Sequence, residues 1–203
     1  MKKVIKNDSK HIIGIDLDDT LLDFNNSLHA YHNKKYGTNI TRENITSYEL
    51  DKVWGYSPEE VDKKLFEFYF TKEHEETAPI FGSLDAVNKL KNRHDLHLIT
   101  VRGDQIAEPT MLWIQTHFPS HFTSINLTNK IFGIPGKTYS KVDVCRRLGV
   151  DLMIEDSLSQ AIEISKVVEK VYLLDCPWNQ GETPTNMTRV NSWDEIITHL
   201  NSN

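Results

Sequence analysis

HIIGIDLDDT, residues 11–20, is the stretch on which the fold turns. Ile12, Ile13 and Ile15 make a short apolar run bounded by polar residues, the pattern of a buried strand. Asp16, Asp18, Asp19 and Thr20 follow it at once, so three carboxylates crowd the strand's carboxyl end. In an open parallel sheet, ligands bind in the crevice outside that end. Crowded carboxylates repel one another unless a proton or cation compensates them, and Mg²⁺ shared with a substrate phosphate is a common compensation.

Four further apolar runs lie downstream: DLHLITV (95–101), FTSINL (122–127), DLMIED (151–156) and KVYLLD (170–175). Helical spacing falls between them at 83–93, 109–118, 140–148 and 158–168, with Pro109 suited to a first helical turn. This alternation predicts an α/β, Rossmann-like core with a mainly parallel five-stranded sheet and helices on both faces. The interval after the first strand is too long for a connection. Residues 25–36 and 57–70 have helical character within it; Val61, Leu65, Phe68 and Tyr69 share one face, and GYSP (55–58) marks a turn. We therefore expect a catalytic core from residues 1–23 and 79–203, with residues 24–78 as a small helical cap. A peripheral helical hairpin is the alternative for that insert.

Composition narrows the chemistry. A formal charge of −6 over 203 residues argues against a nucleic-acid polymer as partner and for a small phosphorylated ligand met by a local cation. Cys145 and Cys176 are the only cysteines, which suits a reducing cytoplasm better than a disulfide framework. The basic start, MKKVIKNDSK, runs straight into polar residues, and no apolar run approaches a membrane span. His29 with His32 and His117 with His121 stand at helical spacing without the neighbours of a zinc motif.

The remaining site candidates end the later strands. Glu155 and Asp156 form a second acidic pair that could close with the first around one ion. Thr100 ends LITV. Ser140 followed by Asp143 reads as a helix start, placing Lys141 in the first turn, where a cation opposes the helix dipole and calls for an anion or for Glu155 as partner. Lys137 in the preceding loop competes with it. Arg102, in TVRG, touches phosphate, pairs with an acid of the site or is a solvated loop arginine.

Taken in order, DLDDT (16–20), Thr100, Lys141 and IEDS (154–157) resemble the four motifs of the haloacid dehalogenase (HAD) superfamily. The resemblance implies a phosphatase in which Asp16 attacks phosphorus and Asp18 is the acid and base. Mg²⁺ would be held by the Asp16 and Asp156 side chains and the Asp18 carbonyl, with Glu155 behind them. Thr100 and Lys141 would bind the phosphoryl group, and Arg102, by its position after Thr100 rather than by the resemblance, is a third phosphate-binding candidate. DFNN (23–26), K-x-x-x-C-R-R-L-G-x-D-x-x-I-E-D-S (141–157), LLDCPWNQ (173–180) and RVNSWDEI (189–196) are most similar to the 5′(3′)-deoxyribonucleotidase group and its bacterial relatives. That likeness implies a 5′-nucleotidase acting on nucleoside monophosphates, with Phe24 stacking on the base. Trp54 is the second candidate for a pocket wall, and a homodimer is the assembly such relatives often form. A sugar-phosphate phosphatase and a non-catalytic phospho-accepting module are the alternatives.

Overall fold

The computed structural model describes residues 10–47 and 49–202. The basic start up to residue 9, and the outermost ends of the expected core, lie outside the described residues.

Six parallel strands form one sheet in the order β3-β2-β1-β4-β5-β6. They are β1 (Ile12–Ile15), β2 (Asp95–Arg102), β3 (Ser124–Ile131), β4 (Leu152–Glu155), β5 (Lys170–Leu174) and β6 (Met187–Val190). The chain runs outward from β1 through β2 to β3, then crosses back to β4 on β1's other side. Strand order therefore reverses at β1, and the crevice that such a reversal opens lies at its carboxyl end. Ile13 is paired with Leu96 on one side and Leu152 on the other, which fixes β1 in the middle of the sheet.

β1 sits there because its side chains serve both faces. Ile13 and Ile15 are fully buried in the core shared with α1 (Phe24–Tyr36), α3 (Pro58–Tyr69), α5 (Ser83–Leu90), α6 (Ala107–His117) and α9 (Trp193–Ser202). Burial of each isoleucine contributes about 1.5–3 kcal/mol. Gly14 faces the other way, under α7 (Lys141–Leu148) and α8 (Leu158–Ser165). A Cβ at Gly14 would come within 2.7 Å of Met153 Sδ and 3.1 Å of Ile99 Cδ1, so a larger residue would force those side chains of the second core to shift.

The sheet has one strand more than the five expected. β6 pairs with β5 through Val171↔Met187 to Leu174↔Val190. It is a four-residue edge strand whose middle positions, Thr188 and Arg189, are only half-buried, so MTRV carries neither an apolar run nor a full alternation.

Residues between β1 and α5 form α1, α2 (Leu50–Trp54), α3 and α4 (Lys72–Glu75). The chain leaves and re-enters the core side by side: Asp23 N–H donates to Ala78 O at 3.0 Å, and Ile80 N–H to Leu21 O at 2.7 Å. Ser57 caps α3 and Pro58 occupies its first turn, as GYSP implied. Among the described residues no helix is long and apolar enough to cross a membrane.

Buried histidines in this interval make its stability acid-sensitive. Burial, with Arg102 beside it, pulls His74 down to about 3, and burial, with His29 and Lys64, pulls His32 down to about 4. Both values lie below that of an unfolded-state imidazole, about 6.5. Their contribution is thus complete above pH 6.5 and is lost as pH falls toward 4. Thermal midpoints should accordingly fall from pH 7 to pH 5, and His32→Phe should flatten that slope. An unchanged slope in the variant would remove His32 from the account.

Candidate active site

The loop after β1 is wound tightly enough to point several acids at one place. Leu17 O accepts from the amides of Leu21 at 2.9 Å and Leu22 at 3.0 Å. Asp19 adopts a left-handed φ of 53°, which Asp tolerates better than most residues. Its carboxylate accepts from Asn25 N at 3.0 Å and Asn25 Nδ2 at 2.6 Å, tying the loop to the start of α1. Burial raises the Asp19 carboxyl well above its ordinary range, with the Asn25 amide opposing. Trp193 Nε1 donates to Thr20 O at 2.9 Å and anchors the loop from α9.

Asp16 emerges from this loop almost completely buried. Lys141 Nζ lies 2.6 Å from Asp16 Oδ1 and 2.8 Å from Glu155 Oε2. The lysine is delivered by the helix start that Ser140 defines: Ser140 Oγ accepts from Asp143 N at 3.0 Å, and Asp143 Oδ2 accepts from Ser140 N at 3.1 Å. Asp156 is held from β5's end, where Trp178 Nε1 donates to Asp156 Oδ2 at 2.9 Å and Asn179 Nδ2 to Asp156 O at 2.7 Å. Asp16, Glu155 and Asp156 each present a carboxylate oxygen, all within 4.8 Å of one another.

Charge in this cluster is unbalanced. Burial, reinforced by repulsion from Glu155, pushes the Asp16 carboxyl up to about 7 although Lys141 pulls it down. Burial works against the ammonium of Lys141, but Asp16 and Glu155 outweigh it and raise its pKa above the ordinary lysine value. Lys141 meets two of these carboxylates, Asp16 and Glu155, and the oxygens of all three acids converge within 4.8 Å, an arrangement suited to a further cation. An all-oxygen donor set of this kind matches a hard dication such as Mg²⁺.

Asp18 and Arg102 form a second pair beside the first. Arg102, fully buried at the end of β2, donates from Nη2 to Asp18 Oδ1 at 2.6 Å and from Nε to Asp18 Oδ2 at 3.1 Å. The structure thus pairs Arg102 with an acid of the site. Thr100 is also fully buried, and its hydroxyl oxygen accepts from Arg102 N at 3.3 Å.

A family model for 5′ nucleotidase, deoxy (pyrimidine), cytosolic type C protein (NT5C) matches residues 10–201. The chain belongs to this nucleotidase family. It is 31% identical over 189 residues to a Halalkalibacterium halodurans protein whose name proposes a nucleotidase, covering 90% of this chain and 88% of that one. It is 29% identical over 192 residues to a nucleotidase of Clostridium acetobutylicum, covering 91% and 90%. Among solved structures, a haloacid dehalogenase-like hydrolase from Streptococcus pneumoniae shares the fold with a TM-score of 0.68. Its identity is 15%, over 94% of this chain and 98% of that one. The protein is thus a HAD-type phosphatase of the nucleotidase family, and its sheet is the superfamily's Rossmann-like core.

Beside the acids of this nucleotidase lies a cavity of about 130 Å³. Asp16, Asp18 and Glu155 line one side, and Phe24, Leu65 and Tyr69 line another. Phe24 stacks on Tyr69 with centroids 5.6 Å apart and planes 25° from parallel. Trp54 is not among the lining residues. Its ring stacks on His32 at 4.4 Å and meets Tyr56 edge-on at 6.4 Å, so the expected second wall is instead part of the insert's own packing. A half-buried aromatic in a helical insert satisfies the same sequence pattern in either position.

Tyr69 and Gln160 are lining residues that the sequence did not single out. Tyr69 was visible only as one of four apolar-face positions on its helix. Gln160 sits in the first turn of α8, three residues beyond the IEDS segment, and that proximity was the available signal.

Proposed function

We propose that this protein is a Mg²⁺-dependent phosphomonoester hydrolase working through an aspartyl-phosphate at Asp16, with nucleoside 5′-monophosphates as substrates. The observation that carries the reading is the buried cluster in which Asp16 meets Lys141, Glu155 and Asp156 next to an aromatic-walled cavity. Family membership supports the substrate class, since a base can stack in such a cavity and leave its phosphate at the acids.

Asp16 attacks phosphorus in line; the Oδ–P bond forms as the P–O bond to the nucleoside breaks. Asp18 gives its proton to the departing oxygen, then takes one from the water that attacks the aspartyl-phosphate and releases inorganic phosphate. Lys141 neutralises a phosphoryl oxygen as charge builds, and the Thr100 hydroxyl and neighbouring amides donate to another. The Asp16 and Asp156 side chains and the Asp18 carbonyl would hold Mg²⁺, which would supply charge that lowers repulsion between nucleophile and phosphate. Glu155 keeps Lys141 in place.

Residues 24–78 act in this reading as a cap whose Phe24, Leu65 and Tyr69 exclude water and whose Phe24 ring stacks on the base. Two free buried thiols, Cys145 and Cys176, fit a cytoplasmic setting.

A panel of nucleoside monophosphates and sugar phosphates, assayed for free phosphate, tests the reading. A nucleoside 5′-monophosphate should be the best substrate with Mg²⁺ and should be inert after chelation. Failure to hydrolyse any nucleoside monophosphate would sink the substrate assignment, and undiminished activity in chelator would sink the metal.

A further inference from the structure

Asp18 and Arg102 raise a question that the catalytic roles alone leave open: what holds the proton-carrying acid in place. Asp18 lies on a loop with its side chain 16% exposed toward the cavity, so the loop backbone alone does not fix the plane of its carboxylate. Arg102 does. Its fork takes both carboxylate oxygens, at 2.6 Å and 3.1 Å, the bidentate geometry that fixes orientation as well as distance.

The guanidinium is itself immobilised from several elements. Arg102 Nη1 lies 3.0 Å from Thr110 Oγ1 on α6 and 3.2 Å from His74 Nε2 on α4. Its carbon sits 4.6 Å from the Tyr69 ring centroid and 5.6 Å from that of Phe24. The pairing of β2 with β3 shifts register between Thr100 and Arg102, a local irregularity of the kind that re-aims a side chain at a sheet's end. Gly103 follows, and a Cβ there would lie 2.3 Å from Phe132 O, so the backbone carrying Arg102 is pressed against the loop after β3.

Resting on the reading of Asp18 above, we propose that Arg102 is a positioning residue for the second half of the reaction, holding the Asp18 carboxylate in the orientation that deprotonates the attacking water. In that step the water oxygen bonds to phosphorus, the bond from phosphorus to Asp16 breaks, and the water proton goes to Asp18. The bidentate fork fixes the plane of the carboxylate, and with it the direction from which a water can hand over its proton. Formation of the aspartyl-phosphate from an ester with a good leaving group needs little help from Asp18, so Arg102 acts chiefly on its hydrolysis. His74 stays a neutral acceptor and links the insert to this pair without opposing the arginine's charge.

The test uses p-nitrophenyl phosphate with the full chain in Mg²⁺, comparing wild type with Arg102→Lys and with Arg102→Met. The lysine keeps charge without the fork, and the methionine leaves no buried cation should the lysine variant fail to fold. Expected is a burst of nitrophenolate approaching one per active site, followed by turnover slowed roughly 10- to 100-fold. KM should fall in parallel, so that kcat/KM changes by less than about threefold. An equal fall in kcat and kcat/KM without a burst, unaltered kinetics, or loss of folding in both variants would overturn the inference and leave the pair a structural tie. Turnover surviving in Asp16→Asn would instead overturn the reading on which it rests.

Discussion

Asp16→Asn should lower kcat by roughly 10⁴-fold or more while leaving the fold intact. The amide is nearly isosteric and can still accept from Lys141, but it cannot form the aspartyl-phosphate. The variant should also be no less stable than wild type without metal. The Asp16 carboxyl is pushed up to about 7 by burial and Glu155, against about 3.8 in the unfolded chain, so the fold resists its ionisation. A raised acid stabilises when protonated, and that contribution is lost as pH rises from about 4 to about 7. At pH 7.5 without metal, Asp16 is therefore a cost that Asn removes. Thermal midpoints in chelator should be equal or higher for the variant, and the gain on adding Mg²⁺ should shrink because one ligand is gone. Substantial turnover in freshly prepared Asp16→Asn, or a collapse of its midpoint, would refute the assignment.

The sequence disclosed elements whose physics is local. β1 was legible because an apolar run ending in acids has few other readings, and α7 because Ser140 and Asp143 announce a helix start whatever surrounds them. Lys141 could then be placed in the first turn, with Glu155 named as a partner before any contact was known; the 2.8 Å bond between them is a long-range fact that two local signals happened to converge on. Where local signals ran out, tertiary context decided. A loop arginine looks the same in sequence whether it serves the site, on phosphate or on an acid, or is simply solvated, and only the fold brings Asp18 within 2.6 Å of Arg102. Trp54 and Phe24 were both aromatics of the insert. Helix spacing does not say which of them faces the cavity, and the structure gives that place to Phe24 and Tyr69. β6 was missed for a different reason: an edge strand needs only one paired side, and Thr188 and Arg189 keep its centre polar.

Lys141→Met tests whether the lysine serves the fold, the chemistry or both. In the metal-free protein its removal leaves Asp16 and Glu155 buried without the ammonium that both contact, with Asp156 beside them. Breaking a buried ion pair by deleting one partner costs about 3–5 kcal/mol, which for a chain of this size lowers the midpoint by about 6–20 °C. Mg²⁺ should recover part of that loss, because a dication among the same carboxylates replaces the missing charge. It should not recover turnover, expected to fall roughly 10²- to 10³-fold, since the phosphoryl oxygen that Lys141 would meet is left without its cation. Stability and activity thus separate: one responds to the total charge in the cluster, the other to a charge at one position. Equal midpoints for variant and wild type in chelator would show that the carboxylates do not depend on Lys141. Restoration of kcat by Mg²⁺ would show that any cation in the cluster suffices, and the specific role of Lys141 at the phosphate would fall.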